Sequence, residues 1–113
     1  MRAYVLALFF LTIPFIAKAQ QFDGYQAFEI LTQAERRFSG GSVSYFKPDG
    51  TFVFTHSNGY REEGTYTITQ SGVVRVNDTA NRKKYQFVIG RKGEDLYFTY
   101  RSGPGRGKTY TFQ

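Results

Sequence analysis

The sequence predicts a mainly β domain: an antiparallel meander of six to seven short strands, a curved sheet or a small barrel, with an N-terminal amphipathic helix packed on it. Three observations carry this reading. From Ser42 onward, apolar and polar residues alternate with a period of two, in short runs rich in β-branched and aromatic side chains. Turn residues separate the runs at regular intervals; Lys47-Pro48-Asp49-Gly50 is the strongest, because Pro presets φ and Gly tolerates positive φ. Between Phe22 and Phe38, by contrast, apolar residues recur every three or four.

The segment before this domain reads as a cleavable export signal. Arg2 gives a positive start, Val5–Ile16 is an apolar run interrupted only by Thr12 and Pro14, and Ala17-Lys18-Ala19 fits a signal peptidase site. The run is shorter than the roughly 20 residues that span a bilayer, so no membrane span is expected after cleavage. The domain plan is therefore residues 1–19 as leader, 20–41 as helical segment and 42–113 as β domain, in a periplasmic or secreted protein. With Cys 0, neither lipid attachment nor a disulfide is available, and the core must hold by packing. Aromatic rings bury a large area per residue and suit a small core. Of 9 Tyr and 12 Phe, only Tyr4, Phe9, Phe10 and Phe15 leave with the leader. The chain carries a formal charge of +6, a balance that favours anionic partners.

A helix is expected over Phe22–Phe38. Asp23 is placed to cap it, Phe28, Leu31 and Ala34 (with Tyr25 and Phe38) form its apolar face, and Gln26, Glu29, Gln33 and Arg36 the polar one. Arg36 and Arg37 in the last turn suit the helix dipole, and Gly40-Gly41 ends it. Strands are expected at Ser42–Lys47, Thr51–Ser57, Gly64–Thr69, Val73–Val76, Lys84–Gly90, Asp95–Arg101 and Lys108–Phe112. Alternation puts Phe46, Phe52, Phe54, Tyr66, Ile68, Val74, Val76, Tyr85, Phe87, Ile89, Leu96, Phe98, Tyr100, Tyr110 and Phe112 on the core face. After Asn58-Gly59, a tight hairpin would put the next strand out of phase with Tyr66 and Ile68, so either Gly64 marks a bulge or the loop is longer.

The stretch Tyr45-Phe46-Lys47-Pro48-Asp49-Gly50-Thr51-Phe52, followed by Gly64-Thr65-Tyr66-Thr67-Ile68, resembles lipocalin-like domains of small secreted or periplasmic bacterial proteins. The resemblance covers about a third of the chain beyond the leader and implies an eight-stranded barrel around a ligand cavity. The sequence departs from that pattern in showing seven strand signals and no tryptophan.

The chemistry-bearing residues argue against catalysis, and no cofactor is expected. His56 is the only histidine; it lies on the core-facing phase near a strand end, and no metal set or nucleophilic triad assembles around it from sequence. Glu62 and Glu63 point to opposite faces of a strand, so they form no acid–base pair. Ser102-Gly103-Pro104-Gly105-Arg106-Gly107-Lys108-Thr109 ends like a nucleotide phosphate loop. Ser102 stands where that motif needs Gly, and Lys108–Phe112 alternates like a strand where a helix must follow. No nucleotide partner is expected. The segment reads instead as a basic, glycine-rich finger able to present N–H groups to an anion. Ser102-Gly103 with Tyr110 resembles the Ser-Gly loop of secreted lysozyme inhibitors, at a different spacing.

The candidate binding surface depends on register. If Gly90 pairs with Asp95 and Val76 with Lys83, Arg75, Lys84 and Arg101 form a basic row across three strands, joined by loop residues Arg106 and Lys108. The function expected first is a non-catalytic domain recognising an anionic envelope component: an anionic polysaccharide, a lipid head group or an envelope protein. The alternatives are a lipocalin-like carrier of a small apolar ligand, its cavity lined by Phe54, Tyr66, Phe87 and Phe98, and an inhibitor or interaction module acting through residues 102–108.

Overall fold

The computed structural model describes residues 18–113. The expected leader lies outside the described residues apart from Lys18 and Ala19. Nine antiparallel strands and one short helix make up the described part: β1 (Ala19–Gln21), α1 (Gly24–Gln33), β2 (Arg36–Arg37), β3 (Val43–Phe46), β4 (Thr51–Thr55), β5 (Arg61–Ile68), β6 (Val74–Asp78), β7 (Lys83–Lys92), β8 (Asp95–Tyr100) and β9 (Thr109–Phe112). Strands β2 to β9 follow one another as a meander, and β1 adds to β7 beyond the point where β6 stops. The sheet curls into a nearly closed barrel. Its seam joins β2 to β9 through Arg37 and Gln113, which exchange backbone hydrogen bonds at 2.9 Å, and through a bridge between Phe38 and Phe112.

All seven expected strands are present, shifted at their ends, and β1 and β2 are additional. Most of the core face falls as the alternation requires, but Tyr110 at the barrel's open end is exposed and Val88, on the opposite phase, is buried. Phe46, Phe52, Phe87 and Phe98 are almost fully buried, with Val74, Val76, Tyr66, Leu96 and Phe112 around them. Phe87 and Phe98 stack at 3.9 Å, and Phe46 and Phe52 at 5.2 Å. The centre of the barrel is thus filled with rings. Helix α1 covers one end of it, burying Ala27 and Leu31 beside Phe22.

The helix is shorter than expected. Asp23 caps it, accepting from Gln26 N, while Gln26 Oε1 accepts from Asp23 N, a reciprocal capping box. It stops at Gln33 because Ala34 is extended and Arg36–Phe38 are needed to close the seam: Phe38 packs its ring on Phe54, Phe98 and Phe112. Arg36 still satisfies the helix end, but from strand β2, its Nε donating to Ile30 O at 2.8 Å. The buried face is also rotated from the expected one, so Tyr25 and Phe28 are exposed. Tertiary closure outweighs the local spacing here.

The Asn58 hairpin resolves in favour of the longer loop. His56 N donates to Tyr60 O, so Ser57-Asn58-Gly59 form a three-residue loop with Gly59 at φ +89°. Gly64 then sits in regular register between Phe52 and Asp78. It is required for another reason: a Cβ there would collide with Asn77 O, so only glycine lets β6 approach this closely.

Candidate functional site

The two registers on which the basic row depends are each displaced by two residues. Strand β6 continues to Asp78, whose buried carboxylate accepts from Glu63 N, Asn81 N and Asn81 Nδ2 and holds a short loop over Thr79–Arg82. Asp78 therefore pairs with Lys83, and Arg75 lies opposite Gln86 rather than Lys84. Strand β7 likewise runs to Lys92, which pairs with Asp95 across a two-residue turn with Gly93 at φ +61°. Gln86 O accepts from Arg101 N. The row on the outer face is thus Thr67, Arg75, Gln86 and Arg101, with Lys84 displaced into the neighbouring row beside Asn77 and Thr65. A neutral glutamine between the arginines removes the direct like-charge contact that the expected register imposed.

A shallow groove of about 330 Å³ runs over these rows, lined by Thr65, Thr67, Arg75, Asn77, Lys84 and Gln86. Arg101 and Arg106 are exposed and line neither this groove nor the barrel mouth described below. The 102–108 loop is folded onto the barrel. Arg106 N, Gly107 N and Lys108 N donate to Gly103 O, Tyr100 O and Gly105 O, and Ser102 Oγ accepts from Gln86 N. The amides of residues 106–108 are thus used inside the loop. The loop contributes Pro104, Gly105 and the Lys108 side chain to a concavity instead.

That concavity is the barrel end opposite the helix. Because the hairpin loop has three residues, Glu62 takes the inward phase across from Phe54, and Ser44 faces inward on the other side of Phe54. His56, stacked on Phe54 at 4.7 Å, sits at the same end. Its Nε2 is hydrogen-bonded to Glu62 Oε2 at 2.5 Å, with the Glu62 side chain only 2% exposed. Tyr60, Tyr85, Tyr100 and Tyr110 form the walls, Lys83 and Lys108 stand at the rim, and the mouth holds about 390 Å³. Lys83 Nζ lies 4.9 Å from the centre of the Tyr60 ring. Three buried polar atoms without a hydrogen-bond partner all face the mouth half of the barrel: Ser44 Oγ, Glu62 Oε1 and Tyr85 Oη. Buried polar groups are normally satisfied. Here three are left open together.

Burial is the main force on the wall phenols. It holds the Tyr85 hydroxyl well above the ordinary tyrosine range, with the Glu62 carboxylate adding to the effect. Burial, then Glu62 and Tyr110, push Tyr100 up to about 12. Both phenols keep their protons in the folded protein after the unfolded chain, near pH 10, has released them. The unfolded state then binds fewer protons, so stability falls as pH rises. The contribution is fully present below about pH 10 and for Tyr100 is lost as pH rises through about 12. Circular dichroism should show unfolding in that alkaline window. Tyr85→Phe should move its midpoint upward; an unchanged midpoint would count against a strained phenol.

No family model, curated protein or solved structure matches the chain. The functional reading rests on the site itself. The sequence drew attention to Arg75, Lys84 and Lys108, which line the two concavities; it treated Glu62 only as one of two adjacent glutamates and Tyr85, Tyr100 and Tyr110 only as core-face residues, and assigned none of them to a site. His56 stands near the strand end, as expected, and Glu62 is its hydrogen-bond partner. The signal that could have found the site was the length of the loop after His56, which sets the phase of Glu62.

Proposed function

We propose that the protein is a secreted or periplasmic, non-catalytic domain that binds an anionic envelope component, an anionic polysaccharide in the first place. One observation carries this reading. The outer groove and the barrel mouth share Lys84, Tyr85 and Ser102 as a common wall, and together they collect Arg75, Lys83, Lys84 and Lys108. None of these four cations is in a salt bridge among the described residues, whereas Arg37 and Arg61 have carboxylate partners. A flexible polyanion lying in the groove passes over Lys84 and reaches the mouth without leaving positive potential.

The loop reading merges with this one, since Lys108 and Pro104 belong to the mouth. A lipocalin-like carrier of an apolar ligand draws support from the barrel, but Phe54, Tyr66, Phe87 and Phe98 are buried against one another and their neighbours. A smaller hollow of about 220 Å³ beside the mouth touches Phe54 and Phe98; the cations at the larger mouth favour a ligand that carries negative charge.

The test is retention on an immobilised polyuronate. Arg75→Ser/Lys84→Ser/Lys108→Ser should bind about tenfold more weakly, each exposed charge contributing roughly 0.2–1 kcal/mol. It should also elute at lower salt. Arg37→Ser/Arg91→Ser/Lys92→Ser makes the same change of charge away from the groove and mouth and should elute like the parent. Equal losses in both variants would reduce the effect to net charge and end the proposal.

A further inference from the structure

We infer that the barrel mouth is a subsite for a single acidic sugar ring, bound with its hydroxyls on Glu62 and Tyr85 and its carboxylate on Lys83 and Lys108. The choice of an acidic sugar rests on the anion-binding reading above. The existence of a polar subsite rests on the mouth alone.

The chemistry of the pocket selects the ligand. Its deepest groups are the Glu62 carboxylate and the neighbouring Tyr85 phenol, both buried, with Oε1 and Oη left without a well-formed hydrogen bond. A carboxylate oxygen accepts hydrogen bonds and repels anions, so the inner part of the ligand must carry neutral donors. The phenol donates, so the ligand must also offer an acceptor close by. A hydroxyl does both. Glu62 cannot turn away from such a ligand, because His56 holds its other oxygen. The walls are the rings of Tyr60, Tyr100 and Tyr110, flat apolar surfaces suited to the C–H face of a pyranose. The cations stand at the rim, Lys83 and Lys108 with Lys84 in the wall shared with the groove. The pocket is therefore graded: neutral hydrogen bonding inside, apolar walls, cations outside. A uronate ring has its hydroxyls and its carboxylate on different edges and fits that gradient. A phosphate or sulfate ion fits only the rim, and a fatty acid leaves the buried acceptor and donor unmatched. The volume of about 390 Å³ lies in the range of small-ligand sites.

The experiment uses the single histidine as a reporter, since only one imidazole signal exists in the chain. Sodium glucuronate, glucose and sodium acetate are titrated in turn into the purified protein while the His56 ring resonances are followed by NMR. Saturable shifts with glucuronate, weaker binding of glucose and no saturable response to acetate are expected. Tyr85→Phe removes one buried hydroxyl beside Glu62 and keeps the ring, so the fold should be kept, and it should weaken glucuronate about tenfold, the loss of one ligand hydrogen bond. Glu62→Gln should weaken it further. No saturable shift, equal binding of acetate, or unchanged affinity in Tyr85→Phe would overturn the inference. If the polyuronate column still retains the protein in that event, the anion-binding proposal stands without the subsite. If the column fails while the His56 titration succeeds, the mouth is a sugar site and the outer groove is not a polyanion track.

Discussion

Phe98→Ala should be the most damaging single substitution in the core, costing about 4 kcal/mol. Phe98 is 1% exposed. It stacks on Phe87, and its edge contacts reach Phe38, Phe54 and Tyr100. Removing the ring therefore leaves a void touched from several sides and strips partners from the seam as well as from the centre. The neighbours are themselves large rings in fixed orientations and relax poorly into a gap, which puts the cost in the upper part of the range for aromatic truncations. No disulfide offsets the loss. Domains of this size have only about 5–14 kcal/mol of net stability, so the melting temperature should fall by roughly 20 °C. Phe98→Leu keeps most of the volume and should lose less than half as much. A thermal scan in which Phe98→Ala melts within a few degrees of the parent would show that the barrel centre is not the main source of stability.

His56→Ala should cost about 3 kcal/mol, although His56 is partly exposed and close to the rim. The cost falls on Glu62. Its side chain is buried, Oε1 is already without a partner, and Oε2 depends on His56. Removing the imidazole strips the buried carboxyl group of its one well-formed hydrogen bond. Breaking a buried pair from one side usually costs about 3–5 kcal/mol, and water entering at the mouth keeps this case near the lower end. The double variant His56→Phe/Glu62→Leu should return close to the parent stability, because a ring again stacks on Phe54 and no carboxylate is stranded. Urea unfolding of the two single variants and the double variant decides the matter. A loss under about 0.5 kcal/mol in His56→Ala, the level of an ordinary surface change, would mean that Glu62 is solvated in the folded protein.

Much of the architecture was legible because alternation is set one residue at a time. Phe46, Phe52, Phe54 and the inward residues of β7 and β8 declare their face locally, and a register error of two leaves every face unchanged. That is why the core assignment survived while Lys84 left the arginine row. The position of a residue along the barrel depends on loop length instead, and Asp78 and Gly93 shorten two loops through contacts not written in any local pattern. The candidate site was hidden for the same reason. Glu62 is one of two adjacent glutamates, and the three-residue loop before it turned it inward to meet His56. The helix ends short of the expected span because Phe38, which continues a helical spacing, places its ring in the seam. Strands β1 and β2 are too short to carry a period at all.

That seam also bears on how the molecule assembles. Consecutive strands from β3 to β9 are each joined by a short connection, so every step of the meander is a local event with a small entropic cost. The junction of Phe38 with Phe112 is different: it unites positions from opposite ends of the meander. Such a contact becomes favourable only after the intervening hairpins have shortened the chain between them. Loop-closure entropy therefore favours assembly from the hairpins, with the seam closing last. The mouth, whose walls come from strands on both sides of that line, takes its final shape in the last step.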